Sequence, residues 1–518
     1  MISSLVSRIA GATTLCIALA GTVSAGEVPR TQVVARVGRF SITAGDLLDS
    51  YEFGPAFVRR VNNPLRAHLE FMIDERLLAL EAERRDLDTS AFVRTRVAAI
   101  NEDLTVDQLY ASEVIATIHL SDAAIDSAVE KSRVQISLRW LFATDRSGAE
   151  RLALLLKRGA SFDSLMAADT GGEGPAGRTL ATTLLGLESN TPSFARSISS
   201  LRQHQVSAPL RGPDGFYIVR LDRIWRDPLQ TESGYAKARE NAARTLQEAR
   251  AMEVADQYAG TLMKLARPVM KAQGFNILRA WLARKGLSHD QRLKWQIPST
   301  FMTEAGPRAI ADAGEFLREP LVTFGGRTLR VRDYLEWFEL RQFQLKRSSL
   351  AAFNASVKQT VWRLVRDRLL SEEAYRRGLD RRDEVRRESG KWEAKLLYLA
   401  CRAQLRRSVR VSDSLVVNEY RGHRNRYRGA DGRPVPFAQV RDDLRRDIAD
   451  REENAIIFRT LRRLKDSTPV TVDEAAVATL GDGLLPDRRS IDLLIYKPGG
   501  TFPRVAFPTI DERWQTFP

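Results

Sequence analysis

Residues 74–88, "DERLLALEAERRDLD", return at 366–380 as "RDRLLSEEAYRRGLD", with Leu77, Leu78, Glu81, Ala82, Arg84, Arg85, Leu87 and Asp88 matched by Leu369, Leu370, Glu373, Ala374, Arg376, Arg377, Leu379 and Asp380. An internal repeat constrains a chain more than its composition does, because each copy must find a cover for the same apolar face. The flanks extend the match. "VARVGRFSITAGDLLDSYEF" (34–53) parallels "LVTFGGRTLRVRDYLEWFEL" (321–340), each reading as strand, Gly turn, strand and helix. "IHLSDAAIDSAVE" (118–130) parallels "VRVSDSLVVNEYR" (409–421), with Ser121 and Ser412 placed as helix N-caps. Leu65, Leu69, Met72, Ile73, Leu77 and Leu80 in one copy, and Val357, Val361, Leu364, Val365 and Leu369 in the other, follow helical spacing. Each stripe predicts a covering helix. The long amphipathic segments 233–266 and 435–465, ending in "RPV" and "TPV", are read as those covers, each closing its own copy.

The first copy carries an insert, roughly 133–226, where the second has only "GADGRPVP" around 429–436. The insert reads as a strand at 135–143, a helix, a turn at Gly159 and a second helix over 148–169, a Gly-rich loop, a helix at 192–201, and a closing hairpin ending in "GPDGFYIVRLDRI". This is a compact α+β domain inside a mainly helical chain, so the predicted fold class is α+β, mainly helical. The domains follow: a signal peptide over 1–25, a split helical module (30–132 with 227–285), the insert (133–226), a linker (286–319), a second helical module (320–480) and a tail (481–518).

The N-terminus is set apart from any core. Arg8, the short apolar run "IAGATTLCIALAGTV" and small residues at Val23 to Ala25 read as a secretory signal peptide cleaved near Ala25, with an uncleaved anchor as the alternative. That predicts a periplasmic protein. Cys16 leaves with the signal, and Cys401 alone forms no internal disulfide. The net charge of +15 comes mostly from Arg interspersed with Asp and Glu, the pattern of solvated helix faces. Export and this interspersion argue against nucleic acid and allow weak contact with an anionic membrane surface.

The succession "LLKRGASFDSLM" then "SFARSISSLRQHQVSAPLRGPDGFYIVRLDRI" resembles parvulin-type peptidyl-prolyl isomerases, in which a Gly-Ala-x-Phe turn, a Phe-bearing helix, a Val-Ser-x-Pro strand start and a Gly-x-x-Ile-Val strand recur in order. The surrounding modules resemble the chaperone domains of periplasmic foldases of the SurA and PrsA type. The resemblance implies binding of unfolded envelope polypeptides and catalysis of prolyl isomerisation, without a cofactor. That reaction lowers a rotational barrier of roughly 18–20 kcal/mol by holding the twisted amide in an apolar pocket. The family presents two His from facing strands, a Cys or Asp from a loop, and a gripping Phe and Met. Here the His positions fall on Arg139 and Tyr217, and the loop position falls at Gly171 and Gly172 with Thr170 beside it. Phe194 remains, flanked by Leu141 and Ile218 on the strands as candidate substrate contacts. Tyr217 and Arg139 could donate to a substrate carbonyl, or pack locally.

Other chemistries lack support. "GGEGPAGRT" (171–179) approaches a phosphate-binding loop but has Arg178 for Lys and Pro175 among the donor amides. His68, His119, His204, His289 and His423 show no metal-ligand spacing, and no G-x-S-x-G elbow occurs. Three readings stand: a chaperone with isomerase activity weak or lost, an active parvulin-type isomerase, and a basic scaffold for acidic envelope surfaces.

Overall fold

The computed structural model describes residues 28–168, 175–212, 215–228, 231–297, 300–303, 306–309, 313–341, 343–423, 426–427, 434–482, 496–497 and 500–516. The predicted signal peptide and Thr170 lie outside them. β1 (Val33–Val37) and β2 (Phe40–Thr43) form a hairpin turning at Gly38, whose φ of 52° is open to glycine without steric cost. Thr43 then starts α1 (Ala44–Phe53) with a reciprocal capping box to Asp46. α2 (Pro64–Arg84) begins on a proline, which needs no N–H there, and runs into α3 (Ala91–Glu113) through a short 3-10 turn.

The described residues fall into two compact units, one holding Ala111–Tyr258 and the other the residues up to Tyr110 together with Ala259–Pro518. In the first, Ser121 caps α4 (Asp122–Arg133) by accepting from the Ala124 amide, as its place in the sequence predicts. β3 (Val134–Ala143) follows, then α5 (Arg146–Lys157) and α6 (Phe162–Ala168), parted at Gly159 with φ of 93°. Next come β4 (Thr179–Thr183), α7 (Leu184–Asn190), α8 (Pro192–Ser199), β5 (Leu210–Arg211) and β6 (Phe216–Arg226). The sheet is antiparallel with order β4-β3-β6-β5. The segment read from sequence as a Gly-rich loop therefore holds a strand and a helix. Only Leu180 of β4 is fully buried, too little alternation to announce a strand, and Thr183 caps α7 through the Gly186 amide. α9 (Glu232–Ala266) lays Ala242 against Ala128, Val129 and Leu185, and Arg239 pairs with Asp122 and Asp126.

In the second unit the opening order of elements recurs. β7 (Val269–Met270) and α10 (Ala272–Gly286) precede a small hairpin of β8 (Thr300–Thr303) and β9 (Gly306–Ala309). Then come β10 (Pro320–Phe324), β11 (Arg327–Arg330), α11 (Val331–Arg341), α12 (Leu350–Arg376), α13 (Asp383–Ser408), α14 (Asp413–Gly422, capped by Ser412), α15 (Phe437–Ser467), β12 (Val470–Val472) and α16 (Glu474–Asp482).

The covers are exchanged between the halves. β1 takes its third strand from β12 of the second half, with Ala35 opposite Val472. β10 takes its own from β7 of the first, with Val322 opposite Met270. The stripe Leu65, Leu69, Met72, Ile73 and Leu77 of α2 shares its core with Trp392, Leu396 and Leu397 of α13 and with Ile457, Leu461 and Leu464 of α15. The stripe Val357, Val361, Leu364 and Val365 of α12 is covered by α10 through Ile277 and Leu278, by Tyr334 and Trp337 of α11, and by Met263 and Ala266 at the end of α9. Segment 435–465 thus covers the first stripe, and the end of 233–266 helps to cover the second, the reverse of the reading in which each copy closes itself. Like stripes accept like covers, so spacing alone could not choose between them.

Charge pairs cross the same seams, two of them buried. The Lys395 ammonium contacts both Glu75 oxygens at 2.7 and 2.8 Å with both side chains almost fully buried. Lys465 reaches Asp74 at 2.7 Å, Arg368 reaches Glu102 at 2.9 Å, and Arg341 grips Asp103 in a two-pronged pair. Replacing Lys395 with Met strands the Glu75 carboxylate and is expected to cost about 3–5 kcal/mol in urea unfolding, most of it regained in the double variant Glu75→Gln/Lys395→Met.

His68 of α2 is 1% exposed and shares a 2.8 Å hydrogen bond with Ser50 of α1. Burial, helped by Arg59 and Lys395, lowers its pKa from 6.5 to about 3. A base depressed on folding contributes stability that is whole above pH 6.5 and is lost as pH falls toward 3. At pH 5 that loss amounts to about 2 kcal/mol. Burial raises the Asp74 carboxyl to about 6, which acts in the opposite sense. The comparison is therefore differential: between pH 7.5 and 5, His68→Gln should lose less thermal stability than the parent.

Candidate functional site

Strand alternation decides which candidate residues can meet. On β3 and β6 the paired positions Leu138/Leu221, Trp140/Val219 and Phe142/Tyr217 face one side of the sheet, and Arg139/Arg220 and Leu141/Ile218 face the other. On the first side Phe194 and Ile198 of α8, Leu180 of β4 and Leu187 of α7 close a single core with them. Tyr217, 4% exposed, has its ring 5.2 Å from Phe142 and 5.6 Å from Phe194 in tilted contacts. The structure thus brings Tyr217 and Phe194 together.

Beside them lies a small apolar recess lined by Leu138, Trp140, Leu180, Leu187, Thr191, Phe194, Ile198 and Val219. It has room for little more than one water-sized group, far too small for a side chain or a ligand. Its one hydroxyl, on Thr191, donates to the Leu187 carbonyl at 3.0 Å. Trp140 and Thr191 were not among the sequence candidates. Trp140 was findable, since it stands two places from Phe142 on the Tyr217 face.

On the other side, Leu141 and Ile218 pack with Phe162 and Met166. Arg139 binds Asp163 at 2.6 Å and also Asp222, while Arg220 reaches Asp222 at 2.5 Å and Asp163 at 3.1 Å. Arg220 also lies over the Phe162 ring at 4.5 Å. The hydrogen bond from Asp222 raises the Arg139 pKa further. Burial opposes ionisation of Asp222, but the bonds from Arg139 and Arg220 outweigh it and hold the carboxyl below its usual range. Arg139 is therefore one member of a two-arginine, two-aspartate cluster, and it stands on the opposite face from Tyr217. The Val-Ser motif is structural as well: Ser207 exchanges main-chain and side-chain bonds with Val219, at 2.8 and 3.0 Å.

No protein-family model matches the chain, and no curated protein matches it by sequence. Among solved structures it is similar to the peptidylprolyl isomerase PrsA of Bacillus anthracis, at 16% identity over 32% of this chain and 70% of that one, with a TM-score of 0.22. It is similar to PrsA of Bacillus subtilis at 17% identity over 44% and 92%, TM-score 0.17. A third similarity is to a structure from Campylobacter jejuni described with PEB4 and Cj1289 as SurA-like chaperones, at 15% identity over 45% and 97%, TM-score 0.19. Scores at this level carry no argument, and the functional reading rests on this chain's own residues.

Two substitutions separate core from cluster. Phe194→Ala empties the centre of the Tyr217 face and is expected to cost about 3–5 kcal/mol. Arg139→Ala leaves Asp222 with Arg220 and is expected to cost about 1–3 kcal/mol. Thermal unfolding of both variants checks the order.

Proposed function

We propose that the protein is an exported foldase-type chaperone that holds unfolded envelope polypeptides, with residues 133–226 as a parvulin-like domain whose isomerase activity is weak or lost. The observation that carries this reading is the separation of Tyr217 and Arg139, the positions aligned with the family's two His. They lie on opposite faces of one sheet, Tyr217 enclosed by aromatic rings and Arg139 engaged by two aspartates. One substrate amide cannot touch both. Any residual turnover is assigned to the Tyr217 and Phe194 face, whose apolar surroundings are of the kind a twisted prolyl amide requires.

Export and removal of residues 1–25 near Ala25 belong to the same proposal. Among the described residues no helix is long and apolar enough to cross a membrane. The exchanged helical halves, bordered by many exposed arginines, suit low-specificity capture of extended chains, with charge steering the encounter.

Two measurements on one sample test the reading: suppression of aggregation of a heat-denatured client, and isomerisation of a proline-containing peptide. Suppression at a few-fold excess with an isomerase rate near the uncatalysed one is expected. A clear rate abolished by Tyr217→Phe would instead establish an active isomerase. Salt-sensitive binding to anionic vesicles without client binding would favour the scaffold reading.

A further inference from the structure

The described part of the C-terminal tail, Gly500–Thr516, is extended apart from two short pieces of regular structure. Pro503 and Pro508, each after a phenylalanine, keep it from joining a helix or a central ladder. Yet it is deeply seated: Phe502, Ile510 and Trp514 are 2%, 1% and 1% exposed. The Trp514 indole lies between Phe71 of α2 and Tyr398 of α13, with centroids 5.5 and 5.9 Å away and planes tilted by only 30° and 24°. It donates to Glu75 at 3.1 Å.

The tail is held through its aromatic side chains, Phe502 against Tyr110 at 5.2 Å and Phe507 against Phe53 at 5.1 Å as well as Trp514, and also through its main chain. Trp392 donates to the Ala506 carbonyl at 2.8 Å, Asn454 to the Thr516 carbonyl at 2.8 Å, and Glu75 accepts from the Asp511 amide at 2.8 Å. Main-chain contacts of this kind, with aromatic slots between them, are how grooves recognise extended peptides. A further specific contact is Asp511, whose carboxylate accepts from Tyr398 at 2.9 Å with Arg402 close by.

The buried ions of the groove also have partners other than the tail. Glu75 is neutralised by Lys395 and Arg402 by Glu453 at 2.6 Å, all four on helices. Withdrawal of the tail strands no buried charge, and it bares Phe71, Trp392 and Tyr398 to water. A surface that is charge-balanced and aromatic when opened is a docking surface.

We infer that this groove between α2, α13 and α15 is a binding site for an extended segment of unfolded polypeptide bearing an aromatic side chain with a carboxylate shortly before it, and that residues 502–514 are its resident competitor. The inference deepens the chaperone reading and rests on it. Clients would enter by displacing the tail, so that the apolar groove is exposed only in exchange for cargo.

Two arms test it, both on the full chain. In the first, amide hydrogen exchange of the unmodified protein is followed with and without reduced, carboxymethylated α-lactalbumin, a permanently unfolded probe. The Asp511 and Trp514 amides should exchange at least about tenfold faster when the probe is bound. Unchanged tail protection while aggregation suppression persists would overturn the groove and leave the chaperone reading standing. In the second, a fluorescent peptide with the sequence of residues 500–516 is titrated onto the parent and onto Trp514→Ala. The variant should bind at least about tenfold tighter, since its own tail competes less well, and a peptide lacking the indole should not bind. Absent binding to a folded variant overturns the inference; if the variant does not fold, the exchange arm decides. Loss of aggregation suppression with peptide binding intact would sink the chaperone reading and not the groove.

Discussion

The contact between Lys395 and Glu75 governs the helical part of this protein. An ammonium and a carboxylate removed from water each cost several kcal/mol, so the pair persists only where geometry and further hydrogen bonds compensate. Here the ammonium spans both carboxylate oxygens, and Glu75 also receives the Asp511 amide and the Trp514 indole. The two residues belong to different halves of the chain, 320 positions apart. A slip of α13 along α2 would separate them and bury two unpaired charges. The apolar faces alone tolerate several registers, and the ion pair selects one.

That register underlies the exchanged sheets. With α13 fixed on α2, α15 packs beside them and delivers β12 to β1, while β7 is left for β10. Each hairpin thus lacks its third strand until the other half arrives. Folding of either half then depends on contacts far apart in sequence, which favours slow and cooperative assembly. The unit from Ala111 to Tyr258 has no such dependence, since its four strands come from one continuous stretch.

Much of this was legible in the sequence, for identifiable reasons. The α2 and α12 stripes follow helical spacing over several turns, and Ser121 and Ser412 cap where Ser before an acidic turn should. β3 and β6 were legible from dense β-branched and aromatic residues. The strand Thr179–Thr183 was not, because one buried leucine among threonines gives no pattern. In the candidate site, the nearness of Tyr217 and Phe194 followed from ordered motifs. The placement of Arg139 on the other face needed the register Arg139 opposite Arg220, which a list of aligned positions does not contain. The partner of each stripe was hidden more deeply. Two similar stripes and two similar covers have two solutions of equal local quality, and only unlike residues, such as Glu75 facing Lys395, distinguish them.

The exchange also explains why the tail lies where it does. Once Val470–Val472 pairs with β1, everything after it starts beside the first half, within reach of Phe71 and Glu75. Had each copy closed on itself, β12 would have ended beside β10, and the chain terminus would have met the other core. The first half offers no equivalent strap, because after β7 its chain continues into α10, which is needed to cover α12. The asymmetry between two otherwise similar halves therefore follows from the exchange of strands rather than from any difference in their stripes.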